Sequence, residues 1–225
     1  GGYRLHLNCT GQGAPTIILD AGLGGSSLDW SSVQPELSRT TRTCAFDRAG
    51  MGWSELGRGE RTPEHIAGEL AILLERANIG GPYVLVAHSL AGKNARLFAM
   101  RHREDVAGLV LIDARHEYVD EQTNASEQEA FVAALEGQSF QYDAARRLGV
   151  VRLFGDRLAG APSMAARVRQ EIALMATRPE AVATTAEEAR ARAASDELLR
   201  NAPSLGDIPL VAIAAGENMP EPRWA

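Results

Sequence analysis

Val84-Leu85-Val86-Ala87-His88-Ser89-Leu90-Ala91-Gly92 decides how this chain is read. An apolar run leads to a serine, and small residues crowd the turn that follows. The run reads as a strand buried on both faces, entering a helix from about Leu90 to Arg103. A serine on so sharp a strand-to-helix turn is held exposed above the sheet, as a nucleophile elbow requires. The positions two before and two after it must be small, because the strand and helix backbones approach closely there. The usual residues are glycines; here they are Ala87 and Ala91, with Gly92 giving further clearance. The plainer alternative is an ordinary turn with Ser89 capping the helix.

Outward from this segment the same alternation repeats. Tyr3 to Leu7 alternates apolar and polar residues, the pattern of a half-buried strand. Gly11-Gln12-Gly13 makes a turn, and Thr16 to Leu19 is a continuous apolar strand. Trp30, Val33 and Leu37 recur at helical spacing, and Thr43 to Phe46 is a further strand. Thr62-Pro63-Glu64 predicts a helix start: a capping threonine, proline at the first position, and an acid facing the helix dipole. Ile66, Leu70, Leu73, Leu74 and Ala77 continue on one face, with Gly80 as the stop. Leu109 to Ile112 is the strand after the elbow helix. Strands and helices in this order predict an α/β fold, a parallel sheet with helices on both faces. Ligands in such sheets sit beyond the carboxyl ends of the strands. Asp20 to Gly25, His88 to Leu90 and Asp113 to His116 begin at those ends.

Residues 118–205 change character, rich in Ala, Glu, Arg and Gln. Phe131, Ala134 and Leu135, then Ala165, Val168, Ile172 and Met175, recur at helical spacing. Only Gly149 to Leu153 reads as a strand run. The segment is expected to be a mostly helical insertion, with the sheet pattern resuming at Ile208 to Ala215.

Composition excludes several classes. The chain has 225 residues, enough for one sizeable core without metals or disulfides. Its 29 acidic and 23 basic residues give a net charge of −6, the wrong sign for general nucleic-acid binding. No apolar run is long enough to span a membrane. Cys9 and Cys44 are the only cysteines. They offer no zinc pattern; placed to face each other in the sheet, they could form a disulfide, but one is not expected. No phosphate loop or dinucleotide fingerprint occurs. No signal-peptide pattern opens the chain, which points to the cytoplasm, although the abrupt start at Gly1-Gly2-Tyr3 leaves room for an upstream segment.

Three loops in order resemble those of the α/β-hydrolase fold superfamily. Ala21-Gly22-Leu23-Gly24-Gly25 resembles its His-Gly-x oxyanion loop, with Ala21 in the histidine place. Asp47-Arg48-Ala49-Gly50-Met51-Gly52-Trp53-Ser54 resembles its D-R-x-G-x-G-x-S loop, and the elbow follows at the expected distance. The resemblance covers nearly the whole chain. It implies a core of residues 1–117 and 206–225 with a helical cap, residues 118–205, between the family's sixth and seventh strands. It also implies that the family's terminal strands are missing.

By the same resemblance Ser89 is the nucleophile and the backbone N–H groups of Leu23 and Leu90 form the oxyanion hole. Asp113 is the expected acid, with Glu217 as the alternative, since the family places it after either the sixth or the seventh strand. The family's base histidine follows an eighth strand, which this chain does not reach. His6, His65, His88, His102 and His116 are not in its place, and His88 is expected to pack behind the oxyanion loop. A serine at the elbow excludes the haloalkane dehalogenases and epoxide hydrolases, which attack with aspartate there. The resemblance therefore implies a serine carboxylesterase with no cofactor or metal and a small-molecule acyl substrate. The alternative is an inactive, hydrolase-like binding protein. Phe131, Leu135, Phe140 and Leu153 of the cap are candidates to line its acyl pocket.

Overall fold

A computed structural model describes residues 2–118 and 124–214. Six strands form one sheet: β1 (Leu7–Thr10), β2 (Thr16–Asp20), β3 (Thr43–Phe46), β4 (Tyr83–His88), β5 (Val106–Ile112) and β6 (Leu210–Ile213). Their order is β1-β3-β2-β4-β5-β6. β1 runs antiparallel to β3, and every other neighbouring pair is parallel. The helices are α1 (Gln34–Leu37), α2 (Pro63–Arg76), α3 (Ala91–Arg101), α4 (Ala125–Arg147), α5 (Val150–Leu158), α6 (Ala166–Ala176), α7 (Pro179–Ala191) and α8 (Asp196–Arg200). Helices α4 to α8 thus fall between β5 and β6.

Side chains alternate across a strand, and both faces of this sheet are covered. Ile18, Leu85 and Leu109 face one way, packing with Leu70 and Leu74 of α2 and Phe98 of α3. Leu19, Ala45 and Val86 face the other way, against Trp30. Burial on both faces explains why β2, β3 and β4 are continuous apolar runs.

α2 begins where its sequence requires: the Thr62 hydroxyl accepts the His65 N–H at 3.1 Å. It ends at Arg76, before Gly80, because Asn78 already adopts a left-handed φ of 53°. Other expectations need correction. The first strand is Leu7–Thr10 and not Tyr3–Leu7. The Tyr3 hydroxyl instead donates to the Glu69 carboxylate on α2, so the alternation there reflects docking onto a helix. Trp30 to Leu37 is not one helix but a 3-10 turn, Ser27–Trp30, followed by the single-turn α1. The run Gly149 to Leu153 is not a strand. Gly149, at φ 77°, separates α4 from α5, and Val150 opens the latter.

Cys9 and Cys44 form a disulfide, contrary to expectation. They stand directly opposite each other in the antiparallel β1–β3 pair, with Cα atoms 4.0 Å apart. The register alone brings the sulfurs together.

Candidate active site

The chain passes from β4 through Ser89 into α3. Ser89 has φ 52°, a left-handed conformation that a non-glycine residue adopts only when its surroundings enforce it. Three backbone hydrogen bonds do so. The Ser89 N–H donates to the Ile112 carbonyl at 3.0 Å. The Ser89 carbonyl accepts from Gly92 N–H at 3.0 Å and from Arg115 N–H at 2.8 Å. The turn is therefore fastened to the end of β5. Gly92 is needed here, since a Cβ on it would lie 2.6 Å from the Ala114 methyl carbon.

Above the carboxyl ends of the strands lies a cavity of about 660 Å³. Ser89, Leu23, Trp30 and Met51 line it from the sheet side, and Ile172 and Met175 of α6 and Ala181 of α7 from the other. His88 lines it too, rather than packing wholly behind the loop. The fit against the glycine loop is close. A Cβ on Gly22 would sit 2.8 Å from His88 Nδ1 and 3.3 Å from Ser89 Cβ, so only glycine is accommodated. Asp29 also reaches the cavity. Burial pushes its carboxyl above the usual range against the hydrogen bond it accepts from Ser26 N–H at 2.8 Å.

The expected pocket residues of the inserted segment do not line this cavity. Phe140 and Leu153 are 81% and 71% exposed. Phe131 lies beneath the Arg192 guanidinium, and Leu135 packs with Val132, Ala186 and Ala189. Ile172 and Met175, visible in the sequence only as helical periodicity, take their place.

Sequence reasoning missed the charged group behind the glycine loop. Arg48 is fully buried, and every N–H of its guanidinium fork faces an acceptor. Nε and Nη2 grip Glu188 of α7 at 2.8 and 2.9 Å. Nη1 donates to Asp20 Oδ1 at 2.8 Å and the Ala21 carbonyl at 2.5 Å. Nη2 also donates to the Gly22 carbonyl at 2.7 Å. The second Asp20 oxygen accepts from Asn94 Nδ2 of α3 at 3.0 Å. Burial works against the charge on Arg48, but Glu188 and Asp20 outweigh it and hold the guanidinium protonated. The preceding Asp47 ties down the rest of its loop, accepting from Ser27 N–H at 2.6 Å and Trp53 N–H at 2.9 Å.

Ser89 and Leu23 meet on one cavity, and Leu90 is the first residue past the elbow, at the start of α3. Neither the Leu23 nor the Leu90 N–H donates to any acceptor among the described residues. Asp113 stands at the end of β5, with φ 45° and its N–H bonded to the Ile213 carbonyl at 2.6 Å. It is exposed and absent from the cavity wall. Glu217 lies outside the described residues. No described side chain hydrogen-bonds Ser89 Oγ. His6 pairs with Asp47 at 2.9 Å and His65 with Glu69 at 3.4 Å. His102 stacks on Phe98, and burial lowers the pKa of His116, beside Tyr118. The described residues contain no group of three potential metal ligands.

The sequence profile of the alpha/beta hydrolase fold matches residues 15–200. The chain belongs to the alpha/beta hydrolase fold family. An uncharacterized protein of Schizosaccharomyces pombe is 42% identical over 139 residues, covering 49% of this chain and 26% of that protein. The 2-hydroxy-6-oxo-2,4-heptadienoate hydrolase of Pseudomonas putida is 33% identical over 122 residues, covering 51% of this chain and 42% of the enzyme. The chain spans less than half the length of the curated relatives it matches here. Among solved structures, a thermophilic esterase from Thermogutta terrifontis superposes with a TM-score of 0.63 at 25% identity, covering 93% of this chain and 74% of the esterase. No helix among the described residues is long and apolar enough to cross a membrane.

Proposed function

We propose that the chain carries the nucleophile and oxyanion donors of a serine carboxylesterase. The observation that supports this most is Ser89 held at positive φ on the wall of the cavity, beside a glycine loop whose Leu23 N–H has no partner among the described residues. In this reading Ser89 Oγ attacks the acyl carbon of an ester, and its proton passes to a histidine base. The carbonyl electron pair moves onto oxygen, where the Leu23 and Leu90 N–H groups receive it. Collapse of the intermediate expels the alcohol, which takes the proton back. Water then repeats the sequence and releases the acid. The carboxylate that orients the base is Asp113, with Glu217 as the alternative.

Residues 118–205 act as the cap in this proposal, and α6 and α7 set acyl preference. Esters are the proposed substrates because serine at the elbow makes an acyl-enzyme that water can cleave. The Cys9–Cys44 disulfide favours an oxidising compartment over the cytoplasm.

A second reading is a hydrolase-like binding protein without turnover. What favours it is that no described histidine touches Ser89 Oγ. One experiment separates the two. The intact natural protein should react with a fluorophosphonate probe, and Ser89→Ala should abolish that labelling. Loss of one member of such a site typically lowers ester turnover by about 10⁴-fold or more. Absence of labelling in the natural protein selects the binding reading; labelling retained in the variant moves the nucleophile elsewhere.

A further inference from the structure

The peptide unit between Gly22 and Leu23 carries both an Arg48 contact and a cavity-lining donor. Its carbonyl is gripped by Arg48 Nη2 at 2.7 Å, and its N–H is the Leu23 donor. A trans peptide is planar, so its C=O and N–H point in opposite directions. The cis bonds of the described chain are elsewhere, at Pro15 and Pro82. Whatever fixes the Gly22 oxygen therefore fixes the direction of the Leu23 N–H. Two donors hold that oxygen, the Gly25 N–H of the same loop at 3.0 Å and Arg48 Nη2. Arg48 is the donor that reaches it from outside the loop, on a buried side chain, and the Leu23 N–H on the opposite edge of the peptide points away from that guanidinium.

The other end of Arg48 is held by α7. Glu188 lies 140 residues away in sequence and is fully buried, and it takes two guanidinium hydrogen bonds. The same helix meets the glycine loop again. The Leu23 side chain packs on the cluster containing Ala186 and Ala189, and a Cβ placed on Gly24 would lie 3.2 Å from Thr185 Cγ2. Ala181, two turns earlier, lines the cavity itself.

We propose that Arg48 and Glu188 are positioning residues that couple the docking of α7 to the direction of the Leu23 N–H, so that roof and oxyanion donor are assembled together. The proposal rests on the serine-hydrolase reading. It gives α7 a role in the chemical step as well as in substrate choice. Neither side chain touches substrate; both act through one peptide group.

The test compares an oxoester with its thionoester in the intact natural protein. Sulfur is a weak hydrogen-bond acceptor, so a working oxyanion hole prefers the oxoester, and a misdirected donor loses that preference. Glu188→Gln keeps the shape of the side chain but turns one acceptor into a donor facing Arg48. Arg48→Lys keeps the charge but removes the fork that reaches both carbonyl and carboxylate. Each is expected to lower kcat for the oxoester by about tenfold to a hundredfold, within the range for loss of an oxyanion donor. KM should change little, and the oxo/thiono ratio should shrink in step with kcat.

A lower melting temperature with kcat and ratio unchanged makes the pair a plain stability element and overturns the proposal. Should Glu188→Gln not fold, Glu188→Asp is read in the same way, and failure of every variant to fold also overturns it. Ester turnover surviving in Ser89→Ala, or a natural protein with no oxoester preference, refutes the serine-hydrolase reading itself and the proposal with it.

Discussion

Asp113 and Arg48 pose opposite problems at the level of single residues. Asp113 is the acid that the family resemblance implies after the sixth strand, and it is exposed and off the cavity wall. A carboxylate that orients an imidazole need only reach the far side of that ring, so distance from the cavity is compatible with the role. In the intact natural protein, Asp113→Asn should reduce turnover of a p-nitrophenyl ester far more than Glu217→Gln. An amide neither holds the right tautomer nor stabilises the imidazolium, and such a loss is typically about 10⁴-fold. The opposite ranking places the acid after the seventh strand of the family. Arg48 was read only as one letter of a loop motif, because its meaning depends on Glu188, which no local pattern connects to it. The positions of Ser89, Leu23 and Leu90 were legible because they rest on local features, a strand-to-helix turn and a glycine loop, and the structure brings Ser89 and Leu23 to one cavity.

Among elements, β2, β3 and β4 were readable since a strand buried on both faces must be apolar throughout. The run at α5 was misread for a related reason. A short stretch such as Val150-Val151-Arg152-Leu153 satisfies either strand or helix, and only the Gly149 break and the packing of Val151 and Gly155 decide it. The inserted helices were legible as helices, but the sequence did not say which faces meet the cavity. That distinction yields a paired test. Ile172→Trp or Met175→Trp on α6 fills space beside Ser89. Either should shift preference toward shorter acyl esters, leaving labelling by a small fluorophosphonate intact. Phe140→Ala and Leu153→Ala, on exposed positions, should leave the acyl-length profile as it was. A panel of p-nitrophenyl esters reads both outcomes; a shift from the exposed pair alone would place the acyl site outside this cavity.

For the whole molecule, one ion pair links the elbow helix to the segment that leaves the sheet. Arg96 of α3 meets Glu117 with Nη1 at 2.5 Å and Nη2 at 3.1 Å. Burial tends to raise the Glu117 carboxyl, but the Arg96 hydrogen bonds and charge prevail and hold it below the usual range. The sign follows from linkage. A carboxyl whose folded pKa is depressed adds stability above its unfolded value of about 4.3, and loses it as pH falls through the folded value. Melting temperature should therefore drop on acidification below that point, and the drop should be shallower in Glu117→Gln. An equal acid slope in both would remove this pair from the balance. The Cys9–Cys44 bond acts on a different axis. It closes a covalent ring between cysteines 35 positions apart, and that ring contains β2 and the entire Ala21–Gly25 loop. A pull on the chain ahead of Cys9 therefore passes through sulfur directly into β3 and bypasses everything between. Leu7 and Asn8 can peel from β3 under that load, but the unzipping stops at Cys9, and the Gly22–Leu23 peptide lies off the covalent path that carries the tension.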